Sequence, residues 1–174
     1  AKAGGIPLTI DAEESDRLPL TLELLETLAR DPSLTNWDGF GIAVQAYSKR
    51  AYAVCEWLIS LSKRSGRRIP VRLVKGAYWD SEIKHAQVNG LADYPVFTRK
   101  AATDLSYLAC AHRLLSAPKQ IYPAFATHNC HTVAAVLHLA RDVHGTSDFE
   151  FQKLQGMGDA LYASLMADAA RRTP

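Results

Sequence analysis

Short apolar runs rich in β-branched and aromatic residues alternate along this chain with longer stretches whose apolar residues recur at helical spacing, and this alternation limits the possible folds most tightly. The short runs, at residues 6–11, 40–46, 69–75, 122–127 and 149–154, read as five strands. Between them, Leu18, Leu22, Leu25 and Ala29 form one helical stripe, with Pro19 tolerated in a first turn where its missing N–H has no bond to lose. Val54, Trp57, Leu58 and Leu61 form a second, stopped at Ser65-Gly66 because glycine readily turns left-handed past a helix end. Further helices are predicted over 80–88, 98–115, 131–141 and 158–169, so that the third strand is followed by two helices.

Such an order implies parallel strands joined by right-handed crossovers. A closed barrel of eight strand-helix units in about 250 residues uses roughly 31 residues per unit, so five units would occupy about 155. The expected class is α/β, a TIM-like (β/α)8 barrel represented here by five of its strands. An open doubly wound sheet is the alternative, although no GxGxxG follows any strand.

With 174 residues, 48% hydrophobic and 22% charged, the chain can bury a core as one globular unit. Its net charge of +2 is small and its Lys and Arg are dispersed, so nucleic acid is not an expected partner. The three cysteines, Cys55, Cys110 and Cys130, are odd in number and lack ligand spacing, which argues against a disulfide framework or structural zinc and for a reducing, cytoplasmic setting. Cys55 and Cys110 fall in apolar helical patterns and are expected in the core, with Cys130 nearer a site. The longest apolar runs fall far short of the roughly 20 residues that a bilayer-crossing helix needs, and no charged-then-apolar leader opens the chain. Both ends read as cuts within a longer protein.

Every strand turns polar at its C-terminal end: Asp11 with Glu13 and Glu14, Gln45, Arg72 with Lys75, Thr127-His128-Asn129, and Gln152. Parallel architectures bind ligands at that edge, which makes it the expected functional face. Within the third strand, Arg72 lies opposite Val71 and Leu73. If that side is a barrel interior, Arg72 is a buried cation needing compensation, with Asp11 or an electron-rich ligand as partner and a purely structural ion pair as the alternative. Residues 75–80, Lys75-Gly76-Ala77-Tyr78-Trp79-Asp80, combine small residues that let a flat ligand or phosphate approach the backbone with two aromatic rings that can pack beside it. His128 has no second imidazole at metal-ligand spacing, and no metal is expected. His85, His112, His138 and His144 are expected to face solvent, and His131 to open a helix.

Taken together, Asp11-Ala12-Glu13-Glu14, Val44-Gln45-Ala46-Tyr47, the run Val71-Arg72-Leu73-Val74-Lys75-Gly76-Ala77-Tyr78-Trp79-Asp80, then Tyr94-Pro95-Val96-Phe97-Thr98-Arg99-Lys100, Phe125-Ala126-Thr127-His128-Asn129, Phe151-Gln152 and Gly156-Met157-Gly158 closely resemble the proline dehydrogenase domain of bacterial proline utilization A proteins. The resemblance runs over nearly the whole chain. It implies a distorted (β/α)8 barrel, of which residues 1–174 are the central part and supply about strands three to seven, holding FAD at the strand C-termini. It also implies oxidation of L-proline to Δ1-pyrroline-5-carboxylate by hydride transfer from proline C5 to flavin N5, with electrons passed to ubiquinone or another membrane quinone.

By the matching motifs, Arg72 resembles the arginine beside flavin N5 and Gln45 a contact at the ring edge. Asp11, Ala12, Ala43, Lys75, Gly76, Ala77, Trp79, Thr98, Thr127, His128, Asn129 and Gln152 resemble further cofactor contacts. Tyr78, Ala77 and Leu154 resemble the lining of the proline pocket, while Asp11 resembles an active-centre carboxylate and a candidate base. A covalently linked aldehyde dehydrogenase domain and peripheral association with the inner membrane are also implied.

The family's paired arginines for the substrate carboxylate and its pocket lysine have no counterpart here, and Arg171-Arg172 precedes the place where the last strand should begin. Five strands cannot close a barrel, so these residues alone are expected to fold badly and bind proline poorly. The competing expectations are a metal- or phosphate-dependent (β/α)8 lyase or hydrolase using His128 and Asp11, and a non-catalytic scaffold.

Overall fold

The computed structural model describes residues 1–143 and 148–172, without the side chains of residues 168–172. The solvent-facing expectation for His144 and the Arg171-Arg172 pair therefore fall outside what is described. Five parallel strands, β1 (Leu8–Ile10), β2 (Phe40–Gln45), β3 (Ile69–Val74), β4 (Ile121–Ala126) and β5 (Glu150–Gln152), form one sheet in the order β1-β2-β3-β4-β5. Strands added in chain order, each after a helical excursion, trace barrel topology. A doubly wound sheet would reverse its strand order part-way.

Among the described residues six α-helices accompany them: α1 (Leu18–Ala29), α2 (Ala51–Ser65), α3 (Trp79–Val88), α4 (Lys100–Leu115), α5 (Cys130–Asp142) and α6 (Asp159–Arg172). The helix after β3 is doubled, as expected. Gly66 ends α2 at φ 69, returning its N–H to the Ser62 carbonyl. Asn129 caps α5, its side chain accepting the Thr132 N–H.

The edge strands are shorter than their apolar patterns suggested. Among the described residues each pairs with one neighbour, and the ladder stops after Ile10 and Gln152, leaving Asp11 and Leu154 in loops. The first turn of the fourth predicted helix also differs: Arg99 is extended (φ −113, ψ 129), so Thr98 lies in the loop before α4.

Strand alternation divides the sheet into two faces. Ile42, Val44, Val71, Leu73, Ile121 and Phe125 bury one face under α1, α2, α4 and α5 in a single core that includes Cys55 and Cys110. The opposite face carries Ala43, Arg72 and Ala124 side by side, followed one step along by Gln45, Val74, Ala126 and Gln152. Small residues on both sides of Arg72 leave this face open.

Candidate active site

A cavity of about 900 Å³ opens over the C-terminal half of that second face. From β1 come Asp11 and Ala12, and from β2 Ala43 and Gln45. The β3 end supplies Arg72, Lys75, Gly76, Ala77 and Tyr78. Thr127, His128 and Asn129 follow β4, and Gln152 and Leu154 close the ring from β5. Fourteen of the predicted site residues thus converge, together with Val74, Ala126 and Lys153, which the sequence did not single out. Trp79 and Thr98 do not reach this cavity. They line a neighbouring one of about 370 Å³ that shares Lys75 and Gly76 with it, and Trp79 donates its indole N–H to the Phe97 carbonyl at 2.9 Å.

Arg72 is the centre of the arrangement. Its Nη1 meets Asp11 Oδ1 at 2.5 Å, and its Nε donates to Gln152 Oε1 at 2.7 Å. Gln152 is held in turn by donation from its own Nε2 to Glu150 Oε1 at 2.6 Å. The expected partner is therefore present; within the described residues the Arg72 side chain is 30% exposed and that of Asp11 76%. Ala43 and Ala124 are too short to cover the guanidinium, which lies over the open face, and a charge left partly in water needs less compensation.

Gln45 is buried, and its amide is spent inside the protein. Nε2 donates to the Glu13 carbonyl at 2.8 Å, and Oε1 accepts the Ala77 N–H at 3.0 Å. One side chain therefore ties the loop after β1 to the loop after β3. Lys75 reaches Asp104 of α4 at 2.6 Å, and Lys100 grips the same carboxylate from one helical turn away. These lysines, Lys100 most strongly, hold the Asp104 carboxyl below its ordinary value.

Gly76 sits at φ +143, a region that disfavours side chains. A Cβ there would lie 2.4 Å from Tyr47 Cδ2, so the glycine makes room for a buried tyrosine ring beneath the loop. The Tyr47 hydroxyl is buried without a hydrogen-bond partner among the described residues. Burial, aided by the charge of Glu82, pushes it up to about 12.

His128 Nε2 accepts the Leu154 N–H at 2.9 Å, which leaves Nδ1 as the ring nitrogen able to donate. Tyr162 of α6 donates its hydroxyl to both the Thr127 carbonyl (2.8 Å) and the Gln152 carbonyl (3.0 Å), clasping the ends of β4 and β5. Neither contact follows from local sequence, since each joins loops across the sheet edge. Asp104 was the more legible omission, being four residues after Lys100 on one helix face.

A flat, electron-poor ring system bearing phosphates fits these residues. The floor of Ala43, Val74 and Ala126 is smooth, Arg72 offers a cation, and α3 and α5 both start at the rim. The N-cap of α3 has no side-chain hydrogen bond, leaving backbone donors of the kind that hold phosphate. A cavity of about 900 Å³ is large enough for such a ligand. Among the described residues, no three His, Cys, Asp or Glu side chains gather as metal ligands would.

A protein-family model described as proline dehydrogenase matches residues 1–173. The chain is 54% identical over 170 residues to the bifunctional protein PutA of Salmonella typhimurium, covering 98% of this chain and 13% of that protein. It superposes with a TM-score of 0.93 and 56% identity on a crystal structure of Bradyrhizobium japonicum proline utilization A, over 98% of this chain and 17% of that one. With the Bdellovibrio bacteriovorus protein inactivated by N-propargylglycine, the TM-score is 0.92 at 36% identity, over 96% and 17% of the two chains. The chain thus spans about 13% of the length of the PutA proteins of Salmonella typhimurium and Escherichia coli. The expectation of a metal- or phosphate-dependent lyase or hydrolase receives no support from these relatives, and Asp11 and His128 are already engaged with Arg72 and the Leu154 amide. Matched by the family model over nearly all its residues, this chain belongs to the proline dehydrogenase family.

Proposed function

We propose that this chain forms the cofactor-facing part of a distorted (β/α)8 barrel that oxidises L-proline to Δ1-pyrroline-5-carboxylate with FAD. The observation that carries the reading is Arg72, flanked by alanines in its sheet row and fixed by Asp11 and Gln152 over the floor of the cavity. FAD, bound there, would accept the hydride that leaves proline C5, one hydrogen with both electrons of its C–H bond. Arg72 stabilises the negative charge that develops in the cavity, and because Asp11 and Gln152 hold it beforehand, little reorganisation is needed during the reaction.

The other residues bind and orient. Lys75, Thr127, Asn129 and the His128 Nδ1–H offer donors around the rim, and Ala12, Gly76 and Ala77 keep the backbone approachable. Gln45 and Gln152 act on the ligand through the loops and the arginine that they hold. Trp79 and Thr98, which line the adjoining cavity, would contact another part of the same cofactor. Tyr78, Ala77 and Leu154 line the proline side. Asp11, with one oxygen on Arg72, keeps its other oxygen available to take a proton from the substrate amine.

Delivery of the electrons to a membrane quinone, a cytoplasmic location peripheral to the inner membrane, and linkage to an aldehyde dehydrogenase domain belong to the same reading. The Salmonella typhimurium and Escherichia coli relatives are named bifunctional. No helix among the described residues is long and apolar enough to cross a membrane. The test is product formation: the full natural protein, given L-proline and a quinone analogue, should release Δ1-pyrroline-5-carboxylate, detected by trapping its imine. Absence of that product in the flavin-loaded protein would refute the assignment.

A further inference from the structure

Asp11 is carried by the loop that follows β1, yet much of what holds this loop lies behind the cavity. Gln45 holds the Glu13 carbonyl, and Arg50, just before α2, donates to the Ser15 carbonyl. The third contact is the unexpected one. Glu82, in the first turn of α3 and only 4% exposed, accepts the Ser15 N–H at 2.5 Å. A carboxylate at this depth is costly unless its charge is met, and here the Ser15 amide and the N-terminal end of α3 meet it. The residues it joins are 67 positions apart, so the bond is tertiary and serves no helix-capping purpose.

We propose that Glu82 is a positioning residue that clamps residues 13–15 and thereby holds Asp11 against Arg72. For its catalytic consequence the inference rests on the proline-oxidising reading; for the clamp itself it does not. The Glu82 carboxylate is not part of the cavity lining, although its backbone N–H donates to the Tyr78 carbonyl at 2.9 Å, and its side-chain effect runs through the loop backbone. Because Tyr78 and Leu154 lie on other loops, releasing this one should lower kcat and leave KM nearly unchanged.

The test uses the full natural protein. Hydrogen exchange in the peptide spanning residues 11–17 should accelerate about tenfold or more in Glu82→Ala, the factor expected for losing a hydrogen bond to a charged group. Glu82→Gln, which keeps an acceptor oxygen, should recover most of the protection and most of kcat. Should the alanine variant fold poorly, Arg50→Ala, at an exposed arginine, releases the same loop from another of its three contacts and should accelerate the same peptide. In Glu82→Ala, kcat for proline should fall about tenfold with KM within about twofold. Unchanged exchange in both alanine variants overturns the clamp, and faster exchange with unchanged kcat overturns its link to Asp11 and Arg72. If the wild-type protein itself failed to oxidise proline, the functional reading would fall while the exchange data still decided the clamp.

Discussion

Replacing Arg72 with methionine separates stability from chemistry. In the structure the guanidinium makes one ion pair with a carboxylate that is 76% exposed and one hydrogen bond to Gln152. An ion pair so open to water contributes about 0–1 kcal/mol, and losing the bond to Gln152 costs on the order of 1 kcal/mol because its oxygen can be rehydrated from the open face. Methionine retains the apolar stem between Ala43 and Ala124. The variant should therefore lose about 1–2 kcal/mol, a small fall in the Tm of the cooperative unit that contains this sheet. Removing a fixed charge that faces developing charge costs far more, about a hundredfold to a thousandfold in kcat. Arg72→Lys keeps the charge but cannot reach Asp11 and Gln152 together, and should fall between. The assays are thermal denaturation and steady-state proline oxidation on the full natural protein. A kcat within tenfold of wild type, or an activity loss matched by gross unfolding, would refute the reasoning.

Three further outcomes are expected. Gly76→Ala places a methyl 2.4 Å from the Tyr47 ring at a φ of +143 and should destabilise by about 2–3 kcal/mol in urea denaturation. Tyr162→Phe removes the hydroxyl shared by the Thr127 and Gln152 carbonyls and should cost about 1–2 kcal/mol while speeding amide exchange at the end of β5. The lowered carboxyl of Asp104 contributes stability that is present above its ordinary value of 3.8 and lost as pH falls through its folded value. The stability gap between wild type and Asp104→Asn, under about 1 kcal/mol for so exposed a group, should accordingly shrink in denaturation curves taken below that value.

The layout of the fold was legible because five strand patterns and six helical stripes keep their periods, and the structure places each of them. Boundaries at the sheet edges were not, since the described ladders of β1 and β5 depend on register with β2 and β4 as well as on their own residues. The pairing of Arg72 with Asp11 followed from alternation and the shared polar edge. What Gln45, Gly76 and Glu82 do was hidden for a common reason: their partners are a backbone carbonyl 32 residues away, a buried ring and a loop amide. Glu82 in particular sits among Asp80, Lys84 and His85, where the local pattern reads as a solvated face. Trp79 and Thr98 were grouped with the main cavity by motif, whereas the extended backbone at Arg99 sets Thr98 beside a separate recess.

The most direct measurement is the visible absorption of the full natural protein, and of its Arg72→Met variant, mixed with L-proline without oxygen. A flavin band that proline bleaches in the wild type, and that persists in the variant but bleaches about a hundredfold more slowly, is the predicted result. A protein without the band, or a variant bleached at the wild-type rate, would contradict the account.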